Sequence, residues 1–383
     1  VNHTSRISGG EISLLTLLEA LPGDVEPAVA CPEGELARRL RAAGARVLPI
    51  RGTDGSLRLH PSRTPRALLE IAAAALGVRR AGELVGADVV HANSIRAGIV
   101  TAAAAIGAGR ATVAHVRDCL PAGALSAISL RAIGRCDAVI ANSEYTRSTL
   151  GAAAAGATVI HNAVDLDRFA AADPSPAAAR ARLGLAAEGP VLAVVAQITP
   201  WKGQDDAIRI AALLKRSHPR LRLLLVGSAK FDSAATRYDN RAYLESLRRQ
   251  VAAAGLQDTV LFLGERDDVP EVLRAADLLL APSWEEPFGR SIVEAMATGT
   301  PVAATAVGGP PEILGDGEGA AGLLLPPRQP QRWAEAIGEL LAEPERLRRM
   351  GAAASEAAAS RFGVERHAAA VLALYERVLS SST

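Results

Sequence analysis

The strongest constraint on this chain is an alternation that occurs twice. Up to about residue 167, short apolar runs at 28–30, 46–50, 88–92, 111–116, 138–141 and 158–160 alternate with helical stretches at 12–21, 35–43, 65–84 and 95–105. After residue 190 the pattern starts again, with strands expected at 191–198, 221–226, 260–263, 278–281, 302–304 and 323–325. Strands that alternate with helices pair in parallel, and each crossover helix covers a face of the sheet. The pattern therefore predicts two doubly wound α/β domains, residues 1–168 and 190–362. Between them, Ala170-Ala-Ala-Asp-Pro-Ser-Pro-Ala177 and Glu188-Gly-Pro190 mark residues 169–189 as a linker with one short Arg/Ala helix. Ligands of such sheets sit beyond the C-terminal ends of the strands, so functional residues are sought there.

Composition removes several classes of function. At 383 residues the chain is long enough for two cores, and its 49% apolar content is Ala-rich, with 3% aromatics. A net charge of +1, without a basic stripe interleaved with aromatics, argues against nucleic acid as a partner. Cys31, Cys119 and Cys136 are far apart and lack metal-ligand spacing, which suits a reducing, cytoplasmic setting. The apolar run at 97–108 is broken by glycines and falls short of the roughly 18 residues that a membrane span needs. No Gly-x-Gly-x-x-Gly follows a strand and no Gly-x4-Gly-Lys-Ser/Thr is present, against a dinucleotide oxidoreductase and a phosphate-loop NTPase. Asp267-Asp268 does not form an Asp-x-Asp metal motif. The chain opens at Val1-Asn2-His3 as though partway along a strand, and a few residues of that strand are expected to precede it.

The stretch from Ala281 to Val302 carries the most chemistry. The buried strand ending at Ala281 is closed by Pro282, and the helix expected from Arg290 to Thr298 ends at Gly299 and Pro301. Backbone N–H groups of Phe288, Gly289, Arg290 and Ser291 converge at that helix N-terminus, where the dipole favours an anion such as phosphate. Glu286 and Glu294 flank the turn. Ser291-x-x-Glu294 also has the form of a capping box, in which Glu294 would only satisfy backbone donors. A second cation-bearing turn, Thr199-Pro-Trp-Lys202-Gly203, follows the strand that opens the second domain. Lysine there opposes the helix dipole unless it faces a bound anion.

Glu286-x7-Glu294 followed by Ala-Met-Ala-x-Gly-x-Pro-Val resembles the signature of the retaining nucleotide-sugar glycosyltransferases of family 4. Ser8-Gly9-Gly10-Glu11, Asn142-Ser143, His161-Asn162-Ala163-Val164-Asp165 and Trp201-Lys202-Gly203 match further family landmarks in the expected order. The resemblance covers nearly the whole chain. It implies a GT-B fold, two Rossmann-like domains facing across a cleft, with the C-terminal helix in 363–383 crossing back to the first domain. It also implies transfer of a hexose-type sugar from a nucleoside diphosphate, most often UDP, to a hydroxyl acceptor, with retention and without an obligatory metal or other cofactor.

By the same resemblance, Glu286, His115 and Lys202 form the catalytic set. Glu286 holds sugar hydroxyls, Glu294 the ribose, Lys202 and the Gly289–Ser291 amides the diphosphate, and the loop from Gly264 through Arg266 to Asp268 the base. Gly9, Gly10 and His115 complete the site from the first domain, which also binds the acceptor. Two positions depart from the family: Ala163 replaces the usual glycine, and Gln197 replaces an arginine that pairs with the lysine on the diphosphate. Arg290 and Arg6 are candidates to restore that charge.

Alternatives stay open. They are an epimerase or phosphorylase on the same fold, and a catalytically weak sugar-nucleotide binder marked by Gln197. Acceptors could be a lipid, a cell-envelope glycan or a secondary metabolite. Arg58, Arg63, Arg66, Arg79 and Arg80 are candidates for a basic face that meets the inner membrane, or for an ordinary solvated face. His3, His91, His115 and His161 fall at expected strand ends without companion carboxylates, so they read as polar floor residues and not as a metal site.

Overall fold

The computed structural model describes residues 1–53, 63–121, 123–170, 175–230, 238–315, 317 and 319–381. The chain divides into two compact units, Val1–Ala163 with Val364–Thr383, and Val164–Gly363. Arg58 and residues 171–174 of the expected linker lie outside the described residues.

The first unit runs α1 (Gly9–Glu19), β1 (Ala28–Cys31), α2 (Glu35–Ala42), β2 (Arg46–Pro49), α3 (Arg63–Val85), β3 (Val89–Ala92) and α4 (Ile95–Ala104). It continues with β4 (Ala111–Val116), α5 (Ala124–Ile133), β5 (Ala138–Ala141), α6 (Glu144–Thr149) and β6 (Thr158–Val159). β3, β4, β5 and β6 form a parallel sheet in that order, and β1 and β2 form a parallel pair. The N-terminal segment lies between them: Asn2 N–H donates to Ala30 O at 2.9 Å, and Asn93 N–H to Val1 O at 3.0 Å. Helix α1 starts at Gly9, before the expected residue 12, because the Glu11 carboxylate turns back to accept the Ser8 N–H at 3.0 Å.

The second unit runs α7 (Leu166–Ala170), α8 (Pro176–Arg182), β7 (Val191–Val195), α9 (Gln204–Leu214), β8 (Arg222–Val226), α10 (Asn240–Ala253) and β9 (Val260–Gly264). Then come α11 (Val269–Ala275), β10 (Leu278–Ala281), α12 (Arg290–Ala297), β11 (Val302–Thr305), α13 (Pro310–Leu314) and β12 (Leu323–Leu325). Helices α14 (Pro330–Leu341) and α15 (Pro344–Arg361) end the unit. Its parallel sheet has the order β12-β11-β10-β7-β8-β9, so the strand order reverses beside β7 and β10. The loops after those two strands are where a doubly wound sheet binds ligand. Strand β7 stops at Val195 and not at the expected 198; Ala196 and Ile198 still donate to Val226 O and Ser228 O as the chain leaves the sheet.

Apolar side chains cover both faces of this sheet. Leu192, Val194 and Leu280 pack with α9 and Trp333 on one side; Ala193, Leu279 and Phe362 pack with α12 and α15 on the other. Part of the expected linker belongs to this unit. Helix α8 is pinned by Arg180, which donates to Asp277 Oδ2 at 2.7 Å and to Ala275 O at 3.0 Å.

Helix α16 (Val364–Ser381) packs in the first unit. Its buried residues His367, Val371, Leu374 and Val378 recur every three or four positions, with Ala368 beside the first, the spacing of one helical face. Ala368, Val371 and Leu374 meet Leu17 of α1, Val113 of β4 and Ile140 of β5. Cys31 and Cys136 are buried free thiols, and burial pushes Cys136 up to about 11.

Candidate functional site

In the second unit, the loop from Pro282 to Gly289 leaves β10 and enters α12. Two contacts hold it. Gly308 pairs with Glu286 as an isolated parallel bridge, and Gly309 N–H donates to Glu286 O at 2.8 Å. A Cβ at Gly308, whose φ is +103°, would stand 2.0 Å from Glu286 O, so only glycine fits this approach. On the other side, Trp284 N–H donates to Trp201 O at 2.8 Å, and Gly203 (φ +71°) packs so that a Cβ would meet Pro282 O at 2.1 Å. These backbone contacts bring the loops after β7 and β10 together.

Their side chains then meet. Lys202 Nζ lies 2.6 Å from Glu286 Oε2, although 84 residues separate them in the chain. Ser283 Oγ donates to the same oxygen at 2.9 Å. Glu286 is 7% exposed, and the Lys202 ammonium also stands 4.0 Å from the centre of the Trp201 ring. The result is a desolvated ion pair, strengthened by a hydroxyl donor, close to a helix N-terminus.

Helix α12 is capped by Gly289, at φ +103°. Ser291 is therefore the second residue of the helix and not its cap, which overturns the capping-box reading of Ser291 and Glu294. Glu294 accepts instead from Arg290 Nε at 2.7 Å, one turn back on the same face. Arg290 Nη1 is buried without a hydrogen-bond partner in the protein. The Phe288 side chain goes into the core against Phe362, with ring centres 6.1 Å apart, so Phe288 can offer a ligand only its backbone. By helix geometry, the N–H groups at Gly289, Arg290 and Ser291 leave the helix end unmatched by its own carbonyls.

Gln197 does not stand alone. Its side-chain amide donates to Lys230 O at 3.3 Å, and Lys230 Nζ pairs with Glu265, which also accepts from Ser228 Oγ at 3.1 Å. Gln197 thus meets the backbone of Lys230, while the Lys230 ammonium is engaged by Glu265. At the end of β9, Gly264 adopts φ +67° and its carbonyl accepts from Gly227 N–H at 2.7 Å. The Arg266 guanidinium is engaged by Asp268, with Nε to Oδ1 at 2.7 Å, and this hydrogen bond holds the Asp268 carboxyl below its usual range.

In the first unit, Gly9 and Gly10 open α1 at the C-terminal ends of the strands. Gly10 O accepts from Asn93 Nδ2 at 3.0 Å, and Asn93 Nδ2 also reaches Asn2 Oδ1 at 3.1 Å. His115, in β4, is fully buried, and its Nδ1 lies 3.2 Å from Arg117 Nη2. Burial first, and Arg117 second, hold its pKa well below 6.5. Arg117 also donates to Asn93 Oδ1 at 3.1 Å and to Asn162 Oδ1. His91 and His367 lie beside His115, with ring centres at 5.4 and 6.1 Å. The Asn142-Ser143 landmark divides its work: Asn142 Nδ2 donates to Arg117 O at 3.1 Å, and Ser143 Oγ caps α6 by accepting from Thr146 N–H at 2.9 Å.

Among the described residues, no three His, Cys, Asp or Glu side chains are gathered as metal ligands, and no helix is long and apolar enough to cross a membrane. Arg117 and Ser283, which sequence reasoning missed, contact the candidate residues His115 and Glu286. Arg117 carried a signal, since it stands one residue past the end of β4, where such sheets place functional side chains.

Two families match this chain: Glycosyltransferase Family 4 over residues 7–168 and Glycosyl transferases group 1 over residues 177–357. The chain belongs to glycosyltransferase family 4. Its fold is that of the GT-B members: the Anabaena protein HepE, solved with UDP-glucose, is 26% identical, with a TM-score of 0.83 over 99% of this chain and 98% of HepE. Sucrose-phosphate synthase from Thermosynechococcus elongatus shares the fold at 24% identity, with a TM-score of 0.79 over 98% of this chain and 94% of that one. Among curated relatives, the D-inositol 3-phosphate glycosyltransferase of Kineococcus radiotolerans is 38% identical over 259 residues, 63% of this chain and 58% of the relative. That of Streptomyces bingchenggensis is 35% identical over 253 residues, 64% of this chain and 54% of the relative. The chain thus spans a little over half the length of these family 4 relatives.

Proposed function

We propose that this protein transfers a hexose-type sugar from a nucleoside diphosphate, UDP in the first instance, to a hydroxyl acceptor with retention at the anomeric carbon. The observation that carries this reading is the Lys202–Glu286 pair beside the N-terminus of α12, at the point where the strand order reverses. HepE was solved with UDP and with UDP-glucose, which favours uridine.

In this reading the bond from the anomeric carbon to the diphosphate oxygen breaks, and one to the acceptor oxygen forms on the same face. The acceptor proton passes to the departing phosphate. Negative charge grows on that phosphate, and Lys202 with the amides at Gly289, Arg290 and Ser291 stabilises it at fixed positions, so no resident metal is required. A buried lysine paired with a carboxylate is already oriented, and the incoming diphosphate replaces part of that pairing. Glu286 then orients sugar hydroxyls, while Glu294 takes the ribose hydroxyls. The loop from Gly264 to Asp268 takes the base.

The test is calorimetry with UDP, GDP, ADP and dTDP and their sugar conjugates, with and without chelator, followed by NMR of the product's anomeric configuration. Selective binding of one diphosphate that survives chelation, and an axial-to-axial or equatorial-to-equatorial outcome, is expected. Inversion, interconversion of the sugar without acceptor, or a requirement for divalent metal would overturn it.

Peripheral contact with an anionic membrane is a further part of the proposal, on α3. Leu68, Leu69, Leu76 and Leu84 are exposed there beside Arg66 and Arg79. The ion pairs Arg66–Glu70 and Arg79–Glu83 offset part of that charge, so the leucines would contribute most of the affinity. Co-sedimentation with phosphatidylserine vesicles that is lost in Leu69→Ser/Leu76→Ser is expected; sedimentation equal to that of the variant would remove it.

A further inference from the structure

The His115–Arg117 contact determines more than position. A guanidinium has N–H donors and no acceptor, so Nδ1 of His115, 3.2 Å from Arg117 Nη2, has to offer its lone pair. The neutral ring then carries its proton on Nε2. Arg117 cannot easily turn away, because Asn93 and Asn162 hold its other nitrogens and Asn142 holds its carbonyl. Those three asparagines come from three separate strand ends.

The other end of the ring has a different character. Nε2 of His115 is buried and has no hydrogen-bond partner in the protein. A buried donor left unsatisfied is costly, and a fold keeps one where a ligand supplies the acceptor. The groups that face the ring are Arg117 from the end of β4, His91 from β3 and His367 from α16. His367 has the opposite tautomer, since its Nδ1 donates to His161 O at 2.7 Å. Arg117 is the fixed positive charge of this group, and a second charge on His115 would face it at hydrogen-bond distance.

We propose that Arg117 is a positioning residue that holds His115 as its Nε2–H tautomer, so that His115 serves a bound sugar as a hydrogen-bond donor to a hydroxyl oxygen and not as a proton acceptor. The ligand in this proposal rests on the glycosyl-transfer reading; the tautomer does not.

The experiment is a long-range 1H–15N correlation spectrum of the imidazoles in the free protein between about pH 5.5 and 8.5, for wild type and Arg117→Met. Wild type is expected to show Nδ1 unprotonated and Nε2 protonated across the range, and Arg117→Met to show mixed tautomers and a ring that begins to titrate. A proton on Nδ1 in wild type, or identical spectra in the variant, would overturn the proposal. Should Arg117→Met fail to fold, kinetics of His115→Gln and His115→Asn give a second readout. Glutamine places an amide donor near Nε2 and asparagine places one near Nδ1. His115→Gln should retain kcat within about tenfold while His115→Asn loses roughly 10²-fold, and the reverse order would overturn it. The spectra need no substrate, so failure of glycosyl transfer leaves the tautomer standing, and a wrong tautomer leaves glycosyl transfer standing.

Discussion

Lys202 Nζ and Glu286 Oε2 lie 2.6 Å apart across two loops that only the sheet order brings together. The pair occupies a largely dry position. Removal of either should therefore change both binding and chemistry. Glu286→Ala should lower kcat by at least roughly 10²-fold, with nucleotide affinity altered less, because the sugar loses its orienting carboxylate. Wild-type turnover by folded Glu286→Ala would remove Glu286 from the catalytic set.

Glu294→Ala should weaken nucleotide binding by about tenfold or more while kcat at saturation changes little. It should also destabilise the second unit by about 1–3 kcal/mol, because Arg290 loses its carboxylate in a position where only 15% of its side chain is exposed. Urea unfolding of Glu294→Ala, Arg290→Met and the double variant separates the two effects. If the double variant is as unstable as the sum of the singles, the pair contributes nothing.

Gly308→Ala would place a Cβ 2.0 Å from Glu286 O and force a side chain into positive φ. A loss of at least about 2 kcal/mol is expected, together with weaker donor binding, since the same contact holds the Glu286 loop. Stability unchanged from wild type in a chemical denaturation curve would show that the loop can move aside.

Gln197→Arg restores a charge that the family uses on the diphosphate. Nucleoside diphosphate affinity should rise about three- to tenfold at low salt and less at high salt, because the added interaction is partly screened. Calorimetry at two ionic strengths measures this. No gain would mean that the added guanidinium does not reach the diphosphate.

The first unit should lose stability in mild acid. His3 and His367 are held to about 4, and His91 and His115 well below 6.5, with burial the largest cause in each. Their folded pKa values lie below the unfolded value near 6.5, so the unfolded chain takes up protons first. Stability is complete above about pH 6.5 and falls below it, by up to about 1.4 kcal/mol per pH unit for each histidine. All four lie in the first unit, which should therefore unfold before the second at pH 5. A urea midpoint unchanged between pH 7.5 and 5 would show that the folded histidines take up protons as readily as those of the unfolded chain.

The local order of this protein was legible in its sequence. Strands β4, β5, β10 and β12 have the bounds that their apolar runs predict, because the covered strands of a parallel sheet are largely apolar. The Glu286-x7-Glu294 motif also placed its residues on the right loop and helix, since that spacing is local.

What lay beyond the sequence was the meeting of distant side chains and the choice between equivalent local patterns. Ser291-x-x-Glu294 and Ser8-x-x-Glu11 have the same form, yet only Glu11 turns back to its serine. The close approach of Gly308 and Gly309 to the Glu286 loop accompanies a helix capped by Gly289 and begun at Arg290, which makes Ser291 its second residue and leaves Glu294 to Arg290. Arg117 reads in the chain as one more charge after a strand. Only the packed sheet surrounds it with Asn93, Asn162 and His115, because strand order, and not sequence distance, decides which strand ends share a floor.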